Sequence, residues 1–466
     1  MNGNMVLVGL GPHAKRIYIS LIKKYNLPLN LVIDLKKNSD SIINYLKEEN
    51  FNCDTYFLED VEADNVELTT KVKRDLDILL VKKNIKYAII STEPKAHFAY
   101  AKYFLDKNIN ILMDKPITAP TFVLSNIDNA KKIKGEYDIL KEKYLQKNNL
   151  NFIIQCQRRF HKGYNYVKSL IEDTIEKYGI PITYLDVYHC DGMWNMPNEF
   201  FTRENHPYKY GYGKLFHSGY HFVDLITWLL ESNKKLLNKQ VNNAFISTSI
   251  FKPHDFFNTV DNDFYEKNLN TTRFSNILTN KESVKEFGEL DFHAMIDFKK
   301  DDYIITHCNL NLLQSGFSKR AWLDLPTDTY KSNGRVRHER IDIQIGPIMN
   351  IQIHSYQAVE YNEKHLIENY DIGSSDHFDI YIFRNNNLIG GKPFEKISIK
   401  DLAGTNDFYG NNEKAREQCF LEFINNKKGR SDLLRHEESI FLLMKLCESV
   451  ANGKNQISFK WGDNIE

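Results

Sequence analysis

The sequence predicts an α/β domain with a doubly wound parallel sheet, followed by an α+β domain built on a large, mostly antiparallel sheet. Three observations support this: strands and helices alternate early in the chain, a glycine-rich turn follows the first strand, and alternating strands dominate the later part. A chain of 466 residues is too long for one small domain. We therefore expect two domains, residues 1–150 and 151–466.

Composition excludes several classes of partner. Lys+Arg and Asp+Glu both number 61, so zero formal charge gives no electrostatic case for nucleic acid or an anionic membrane. No apolar run approaches the roughly 18 residues of a membrane-spanning helix, and the first is too short for a signal peptide. Six scattered cysteines without a C-x-x-C pair indicate reduced thiols and no zinc framework. We expect a cytoplasmic protein that acts on small molecules.

The first strand, Met5–Leu10, runs into a G-x-G-x-x-A turn made by Gly9, Gly11 and Ala14. Gly9 permits a tight turn, Gly11 lets the backbone approach a pyrophosphate, and the small Ala14 lets helix and strand pack closely. A helix is expected from here to about Lys24. The pattern alone is weak, because a tight strand-to-helix turn needs glycines for steric reasons too.

The residues after this turn strengthen the dinucleotide-binding interpretation. Pro12 suits a first helical turn, and with His13 it begins a helix whose N-terminal N–H groups and dipole favour phosphate. We therefore expect both residues to line a cofactor site.

A second strand follows, and its last residue, Asp34, bears on the choice of cofactor. A carboxylate there can accept both ribose hydroxyls, which favours NAD. Lys36 and Lys37 could instead hold a 2′-phosphate, so NADP stays open.

Strands and helices continue to alternate through the next hundred residues. This order predicts a parallel sheet with right-handed crossover connections. A polar helix spans 40–49, and a short strand and a helix are expected within 51–81. A buried strand begins at Tyr87 and breaks at Thr92-Glu-Pro94, followed by a helix with His97 at its start. By themselves, Thr92 and His97 are more typical of helix capping and packing than of a cofactor site.

The strand Asn110–Asp114 ends abruptly at Lys115-Pro116, because proline cannot donate to a ladder. In an open parallel sheet, ligands bind at the carboxyl edge where Lys115 would lie. A lysine there can donate to a substrate hydroxyl, stabilise an oxygen that develops negative charge, and keep a nearby imidazole neutral. The alternative is a solvated lysine after a strand.

A helix is expected from Gly219, with His221, Asp224 and Trp228 on one face; His217 joins them if the helix extends back. One interpretation is a core helix whose histidines are satisfied by hydrogen bonds. Zinc binding by H-x-x-x-H is another, although neither the glutamate of H-E-x-x-H nor a third ligand is evident, so no metal site is assigned. We favour acid–base catalysis, for which histidine is well matched near neutral pH.

The remaining chain reads mainly as a sheet. Strands are expected at 184–189, 240–251, 290–298, 303–312, 340–345 and 349–356. The aromatic loop 191–212, which contains Arg203, could form a sugar-binding wall or simply pack on the sheet. Segments 253–280 and 359–412 are interpreted as insertions.

Several of these motifs together resemble the Gfo/Idh/MocA family of oxidoreductases. They are the glycine turn, T-x-P-x-x-H ending at His97, and [ED]-K-P at Lys115. The resemblance continues in Arg158-Arg159-Phe160, in the segment Gly211–Leu230 and near Cys447–Gly453. It implies an N-terminal Rossmann domain and a C-terminal domain that binds substrate and forms a homo-oligomer.

The family resemblance also implies a function. It implies an NAD(P)-dependent oxidoreductase that transfers a hydride between nicotinamide and a secondary alcohol or ketone of a sugar, cyclitol or derivative. By position, His221 matches the catalytic histidine, and Lys115 matches the lysine shared by cofactor and substrate. The residues assigned to the cofactor are Gly9, Gly11, Pro12, His13, Ala14, Asp34, Thr92, Pro94, His97 and Lys115, and those assigned to substrate are Arg159, Arg203 and Asp224.

The chain departs from the family at Lys162, where proline is usual, and at a position in the segment of the catalytic histidine. His217 stands where many members have aspartate, and it could itself be the base. Two imidazoles cannot comfortably both be charged, whereas an aspartate would favour the imidazolium. This departure supports one alternative, a non-catalytic dinucleotide-binding sensor. An imine reductase and an NAD-assisted glycoside hydrolase also stay open as other uses of the cofactor.

Overall fold

The computed structural model describes residues 3–204, 206–325, 333–359, 363, 365, 371–403 and 411–462. The chain forms two compact units. Unit 1 comprises Met1–Pro120, Lys132–His161 and Asn411–Ile440, and unit 2 comprises Thr121–Lys131, Lys162–Gly410 and Phe441–Glu466. These bounds do not follow a single cut between residues 150 and 151, because a late segment belongs to unit 1. The functional division into 1–150 and 151–466 stays a prediction.

The strands are numbered in chain order: β1 Asn4–Val8, β2 Leu29–Leu35, β3 Asp54–Leu58, β4 Ile85–Ile90, β5 Asn110–Asp114, β6 Phe152–Gln155, β7 Tyr184–Cys190, β8 Asn243–Phe251, β9 Asp291–Lys300, β10 Tyr303–Leu313, β11 Arg337–Ile345, β12 Met349–Gln357, β13 Asp376–Arg384, β14 Phe394–Ser398 and β15 Gln456–Lys460.

The α-helices are α1 Pro12–Ala14, α2 Ser20–Lys24, α3 Ser39–Glu48, α4 Thr70–Lys82, α5 His97–Asp106, α6 Ile127–Leu145, α7 Lys162–Tyr178, α8 Glu199–Thr202, α9 Tyr220–Leu230, α10 Pro253–Thr259, α11 Asn262–Leu269, α12 Ser275–Thr279, α13 Asn386–Ile389, α14 Ile399–Ala403, α15 Asn411–Ile424 and α16 Glu437–Ala451. Two π-helical turns, Lys15–Ile19 and Leu215–Gly219, precede α2 and α9. No helix in the described part of the chain is long and apolar enough to cross a membrane.

Unit 1 contains a six-stranded parallel sheet in the order β3-β2-β1-β4-β5-β6. Except for the half-buried edge strand β3, its strands are mostly apolar and buried, as expected for a sheet with helices on both faces. The strand order reverses between β1 and β4, so the crevice for ligands opens at the carboxyl ends of these strands. Gly9, Ser91 and Lys115 directly follow β1, β4 and β5, so this edge carries the glycine turn and the lysine.

Helix α15 completes the core of unit 1 from far along the chain. It packs four side chains into the apolar cluster formed by β1, β2 and the first helical segment, residues 12–24: Ala415, Cys419, Phe420 and Phe423. The Glu417 carboxylate accepts hydrogen bonds from the side chains of Lys24 and Tyr25 at the end of that segment. The parallel sheet is therefore covered in part by a helix that follows most of unit 2 in the sequence.

Unit 2 contains a nine-stranded sheet in the order β14-β13-β12-β11-β7-β10-β9-β8-β15. All pairs are antiparallel except β7 with β10. The predicted fold class, a parallel sheet followed by a mostly antiparallel one, is thus confirmed. Because β7 is central, the residues that follow its carboxyl end lie in the interior of unit 2.

Two features of unit 2 differ from the sequence prediction: the place of segment 359–412 and the presence of the final strand β15. Segment 359–412, interpreted as an insertion, supplies β13 and β14 to the main sheet, although part of it lies outside the described residues. Segment 253–280 does form separate structure, the short helices α10 to α12. Their aromatic side chains share a core with Phe200 and Tyr208 of the aromatic loop. The final strand β15 was also missed, because its five residues are mostly exposed and polar.

Candidate functional site

The two glycines after β1 have different structural roles. Gly9 has φ = 84°, and a Cβ there would lie 2.5 Å from the carbonyl oxygen of Ser91, so only glycine lets β1 and β4 end side by side. Gly11 has ordinary backbone geometry, and a Cβ would meet no atom within 4 Å. The turn therefore keeps open space at Gly11, where a dinucleotide phosphate would approach the backbone, and these residues fit such a cofactor.

This difference predicts that two alanine substitutions affect different properties, stability at Gly9 and cofactor binding at Gly11. Gly9→Ala should lower the free energy of unfolding by about 1–3 kcal/mol, because it places a side chain in left-handed backbone and against Ser91. Gly11→Ala should leave the melting temperature unchanged but weaken NADH binding at least about tenfold, since the methyl group occupies the phosphate space. Thermal melting and calorimetric titration of both variants would check this, and equal losses of stability would contradict it.

The Asp34 carboxylate at the end of β2 is held by three donors. Oδ2 accepts from the Leu10 amide at 2.7 Å, and Oδ1 accepts from the Leu35 amide at 2.7 Å and the Asn38 side chain at 2.8 Å. A carboxylate has about four acceptor positions, so one remains by this count. Nearby, Lys36 Nζ pairs with an acid, Glu59 Oε1, at 2.8 Å.

Asp114, the last residue of β5, links the sheet edge to its neighbours. Its carboxylate accepts from the Tyr18 hydroxyl at 2.5 Å and the Ser91 hydroxyl at 2.6 Å, and His13 Nε2 lies 3.7 Å away. Burial, reinforced by Asp114, raises the pKa of Tyr18 well above its usual value, so the phenol remains a donor. These bonds fix the backbone immediately before Lys115.

His97 holds the other side of Lys115. This fully buried side chain places Nδ1 2.7 Å from the Pro116 carbonyl oxygen and Nε2 3.2 Å from that of Thr92. Burial lowers the pKa of His97, and a neutral ring has one N–H, which the shorter contact assigns to Nδ1. His97 thus connects the backbone of Thr92, after β4, to that of Pro116 beside the half-buried Lys115. Pro94 begins the short helical turn between Thr92 and His97.

In unit 2, one of the two predicted histidines lies in an unusual turn and the other directly follows it. His217 lies in the π-helical turn Leu215–Gly219, which leads directly into α9 with His221. Glu289 anchors the start of this turn, since its carboxylate accepts from the Leu215 amide at 2.6 Å and its carbonyl from the Lys214 amide at 2.9 Å. Burial raises the pKa of Glu289 to about 7. Such π-helical turns are frequent at functional sites.

The His217 ring is enclosed by the aromatic loop. Its Nε2 lies 3.2 Å from the Pro207 carbonyl oxygen, and the rings of His206 and Tyr208 lie 4.9 and 5.1 Å from it. Because a carbonyl only accepts, Nε2 carries the proton in this hydrogen bond. In the neutral ring, Nδ1 is then the basic nitrogen, and it is the atom that could replace a carboxylate oxygen as acceptor.

The three predicted substrate-binding residues are largely internal. Asp224 is fully buried within α9. Arg203 donates to Asn195 Oδ1 at 2.7 Å within the aromatic loop. Arg159, also fully buried, donates to the backbone carbonyls of Arg430 and Arg435 at 3.1 and 3.0 Å. These bonds favour a structural role for Arg159, which lies in unit 1 with Lys115, whereas His217, His221, Arg203 and Asp224 lie in unit 2.

Sequence reasoning missed a buried charged group beside the histidines. Lys214 donates from Nζ to Asp191 Oδ2 at 2.6 Å and lies 3.0 Å from His189 Nδ1, and all three side chains are almost fully buried. Ser218 donates to the same Asp191 oxygen at 2.7 Å. The only sequence signal was a lysine, Lys214, within the segment Gly211–Leu230. Its partner Asp191 could not be identified from sequence, because the two residues are 23 positions apart.

Comparison with known proteins supports the assignment of unit 1. Residues 5–138 match the family model described as "Oxidoreductase family, NAD-binding Rossmann fold". This region contains the glycine turn, Asp34 and Lys115, so the predicted cofactor class is confirmed. No curated protein matches the chain by sequence.

Solved structures resemble the whole chain in fold. An oxidoreductase from Agrobacterium radiobacter, in complex with NAD+, L-tartaric acid and magnesium, is 10% identical, with 98% of each chain covered and a TM-score of 0.56. A myo-inositol 2-dehydrogenase from Lactobacillus plantarum is 14% identical, with 98% of this chain and 99% of that chain covered and a TM-score of 0.54. A 3-ketoreductase from Actinomadura kijaniata, in complex with NADP and TDP-benzene, is 9% identical, with 95% of this chain and 96% of that chain covered and a TM-score of 0.54.

Proposed function

Because residues 5–138 match the model of an oxidoreductase family with an NAD-binding Rossmann fold, we propose that the protein transfers a hydride between nicotinamide and a secondary alcohol or ketone of a sugar, cyclitol or sugar derivative. This proposal rests on the edge of the parallel sheet, where open space at Gly11 follows β1 and Lys115, between two firmly held residues, follows β5 on the other side of β4. The names of the structural neighbours, a myo-inositol 2-dehydrogenase and a 3-ketoreductase, support this substrate class.

The cofactor would lie along the carboxyl ends of β1, β2 and β4. Gly11 would admit the pyrophosphate, and the first helical segment would offer it N–H groups. Asp34 would accept a ribose hydroxyl at its remaining acceptor position or in exchange for the Asn38 amide. This use of Asp34 favours NAD over NADP, since a carboxylate repels a 2′-phosphate.

The chemistry requires a hydride acceptor, a group on the substrate oxygen and a base. Bound NAD supplies the hydride acceptor at its nicotinamide ring. The Lys115 ammonium would donate to the substrate oxygen and stabilise it as the hydroxyl proton leaves. His221 would take that proton through a ring nitrogen, and His217 Nδ1 would accept a hydrogen bond where other members have a carboxylate.

Calorimetric titration with NADH and NADPH, followed by a turnover screen, tests this function. We expect saturable binding of both, with NADH at least about tenfold tighter because of Asp34. NAD+ reduction, followed by the absorbance of NADH, should then appear with at least one member of a panel of cyclitols, aldoses and sugar acids. Binding without turnover on any alcohol would instead support a sensor, and the absence of binding to either nucleotide would refute the proposal.

A further inference from the structure

The buried ion pair between Asp191 and Lys214 lies directly beside the turn that carries His217. Asp191 follows β7 in the centre of the large sheet, and Lys214 directly precedes the π-helical turn. Both side chains are buried, and their Oδ2 to Nζ distance is 2.6 Å. A buried pair of this kind costs desolvation energy, so a nonpolar pair of the same size would stabilise the fold at least as well. Stability alone therefore gives no reason for charges at this place.

The hydrogen bonds of Asp191 connect the pair to the histidine turn. The same Oδ2 atom accepts from Lys214 and, at 2.7 Å, from the hydroxyl of Ser218 within the turn. Ser218 adjoins His217 and precedes His221 by about one helical turn. Asp191 thus holds the turn from the end of β7, while Glu289 holds its beginning from the residues just before β9.

Burial and the surrounding charges act in opposite directions on the two members of the pair. Burial by itself would raise the pKa of Asp191, but Lys214, His189 and two nearby arginines together outweigh this effect and lower the pKa well below its usual value. Burial lowers the pKa of Lys214, although the charge of Asp191 acts in the opposite direction. Arg337 Nε lies 3.4 Å from Asp191 Oδ1. Lys214 also contacts His189 Nδ1 at 3.0 Å, and an ammonium can only donate there, so His189 accepts through Nδ1.

We infer that Asp191 and Lys214 are positioning residues that fix the turn carrying His217 and, through their opposite charges, balance the proton affinity of His217 and His221. This inference rests on the proposed function, in which these histidines handle the substrate proton. Neither member touches the reacting atoms in this role. Among the described residues, other titratable or charged groups around the turn and its neighbours are His189, Arg203, His206, Tyr208, Tyr212, Asp224, Glu289, Arg335, Arg337 and Glu339.

Histidine NMR of the intact protein separates this role from a purely structural one. The Cε1–H resonances of His217 and His221 would be assigned with His217→Asn and His221→Asn, and their titration midpoints measured in Asp191→Asn, in Lys214→Met and in the double variant. Lys214→Met should raise the midpoints by about 0.5 pH unit, because a positive charge is lost, and Asp191→Asn should lower them by about the same amount. The double variant should return to within about 0.2 unit of the original value.

The control is an exposed pair of the same unit, Lys235 with Glu176, at 2.7 Å. Lys235→Met should move neither midpoint, because solvent screens an exposed charge. Midpoints that move in the same direction in both single variants, or do not move, would overturn the inference. If a charge variant does not fold, Ser218→Ala decides the positioning role, since it should speed amide hydrogen exchange of the turn by about tenfold; unchanged exchange would overturn that role.

The inference and the proposed function fail separately. Retained turnover in a Lys115 variant would refute the proposed chemistry without changing the histidine midpoints. Histidine midpoints that shift in the same direction in both single variants, or do not shift, would refute the role of Asp191 and Lys214. Loss of turnover in the Lys115 variant would then still support the proposed chemistry.

Discussion

Replacing Lys115 with alanine is expected to lower kcat by about 10²–10³-fold while the Kd for NADH stays within about twofold. The backbone on both sides of Lys115 is held independently of its side chain. Asp114 bonds Tyr18 and Ser91, and the Pro116 carbonyl lies 2.7 Å from His97. The substitution therefore removes the ammonium group with little disturbance of the sheet edge.

Steady-state turnover and calorimetric NADH titration of Lys115→Ala check this prediction. Lys86→Ala is the matched control, because Lys86 is an exposed lysine of β4 near the opposite edge of the same sheet. It should retain both turnover and NADH binding. If Lys115→Ala turned over the same substrate as fast as the unaltered protein, Lys115 would have no role in the mechanism. If the variant lost both turnover and NADH binding, the role of Lys115 would be in the cofactor site.

Replacing His221 with asparagine should reduce kcat by about 10²–10⁴-fold, the usual contribution of a general acid–base group. His217→Asn should cost less, because His217 is proposed to assist by accepting a hydrogen bond. The exposed His307 of β10 offers a control, and His307→Asn should leave turnover unchanged. A larger loss for His217→Asn than for His221→Asn would make His217 the base.

His217→Asp tests the same pair through its pH dependence. A carboxylate stabilises a neighbouring imidazolium, so the pKa of His221 should rise by about 0.5–1 unit. Alcohol oxidation needs the base in its neutral form, and its rate falls as pH drops below that pKa. The acid limb of the kcat/KM profile should therefore move to higher pH by the same amount. An unmoved acid limb would show that positions 217 and 221 do not interact.

Much of unit 1 could be predicted because its signals are local. The strand bounds around Gly9, Asp34 and Lys115 agree with prediction within about two residues, as apolar runs between turn signals allow. The helix before Lys24 was also expected, although not its π-helical turn, since one extra residue per turn leaves the apolar pattern nearly unchanged.

The contacts of the site residues could not be predicted in the same way. The motif at Lys115 gave no sign that His97 would bond the Pro116 carbonyl, because that contact joins two different loops. The partnership of Lys214 with Asp191 depends on how the turn before α9 meets the end of β7. The use of Arg159 to bind the carbonyls of Arg430 and Arg435 depends on a segment that returns from late in the chain.

The sequence by itself determined the two sheets, the dinucleotide-binding turn and the residue types available for catalysis, because periodicity and turn chemistry act over a few neighbouring residues. Only the tertiary structure decided that α15 covers the parallel sheet, that β13 and β14 extend the large one, and that a buried ion pair anchors the turn of His217. These arrangements depend on burial and hydrogen bonding between segments distant in sequence, and composition or spacing along one segment carries no record of such contacts.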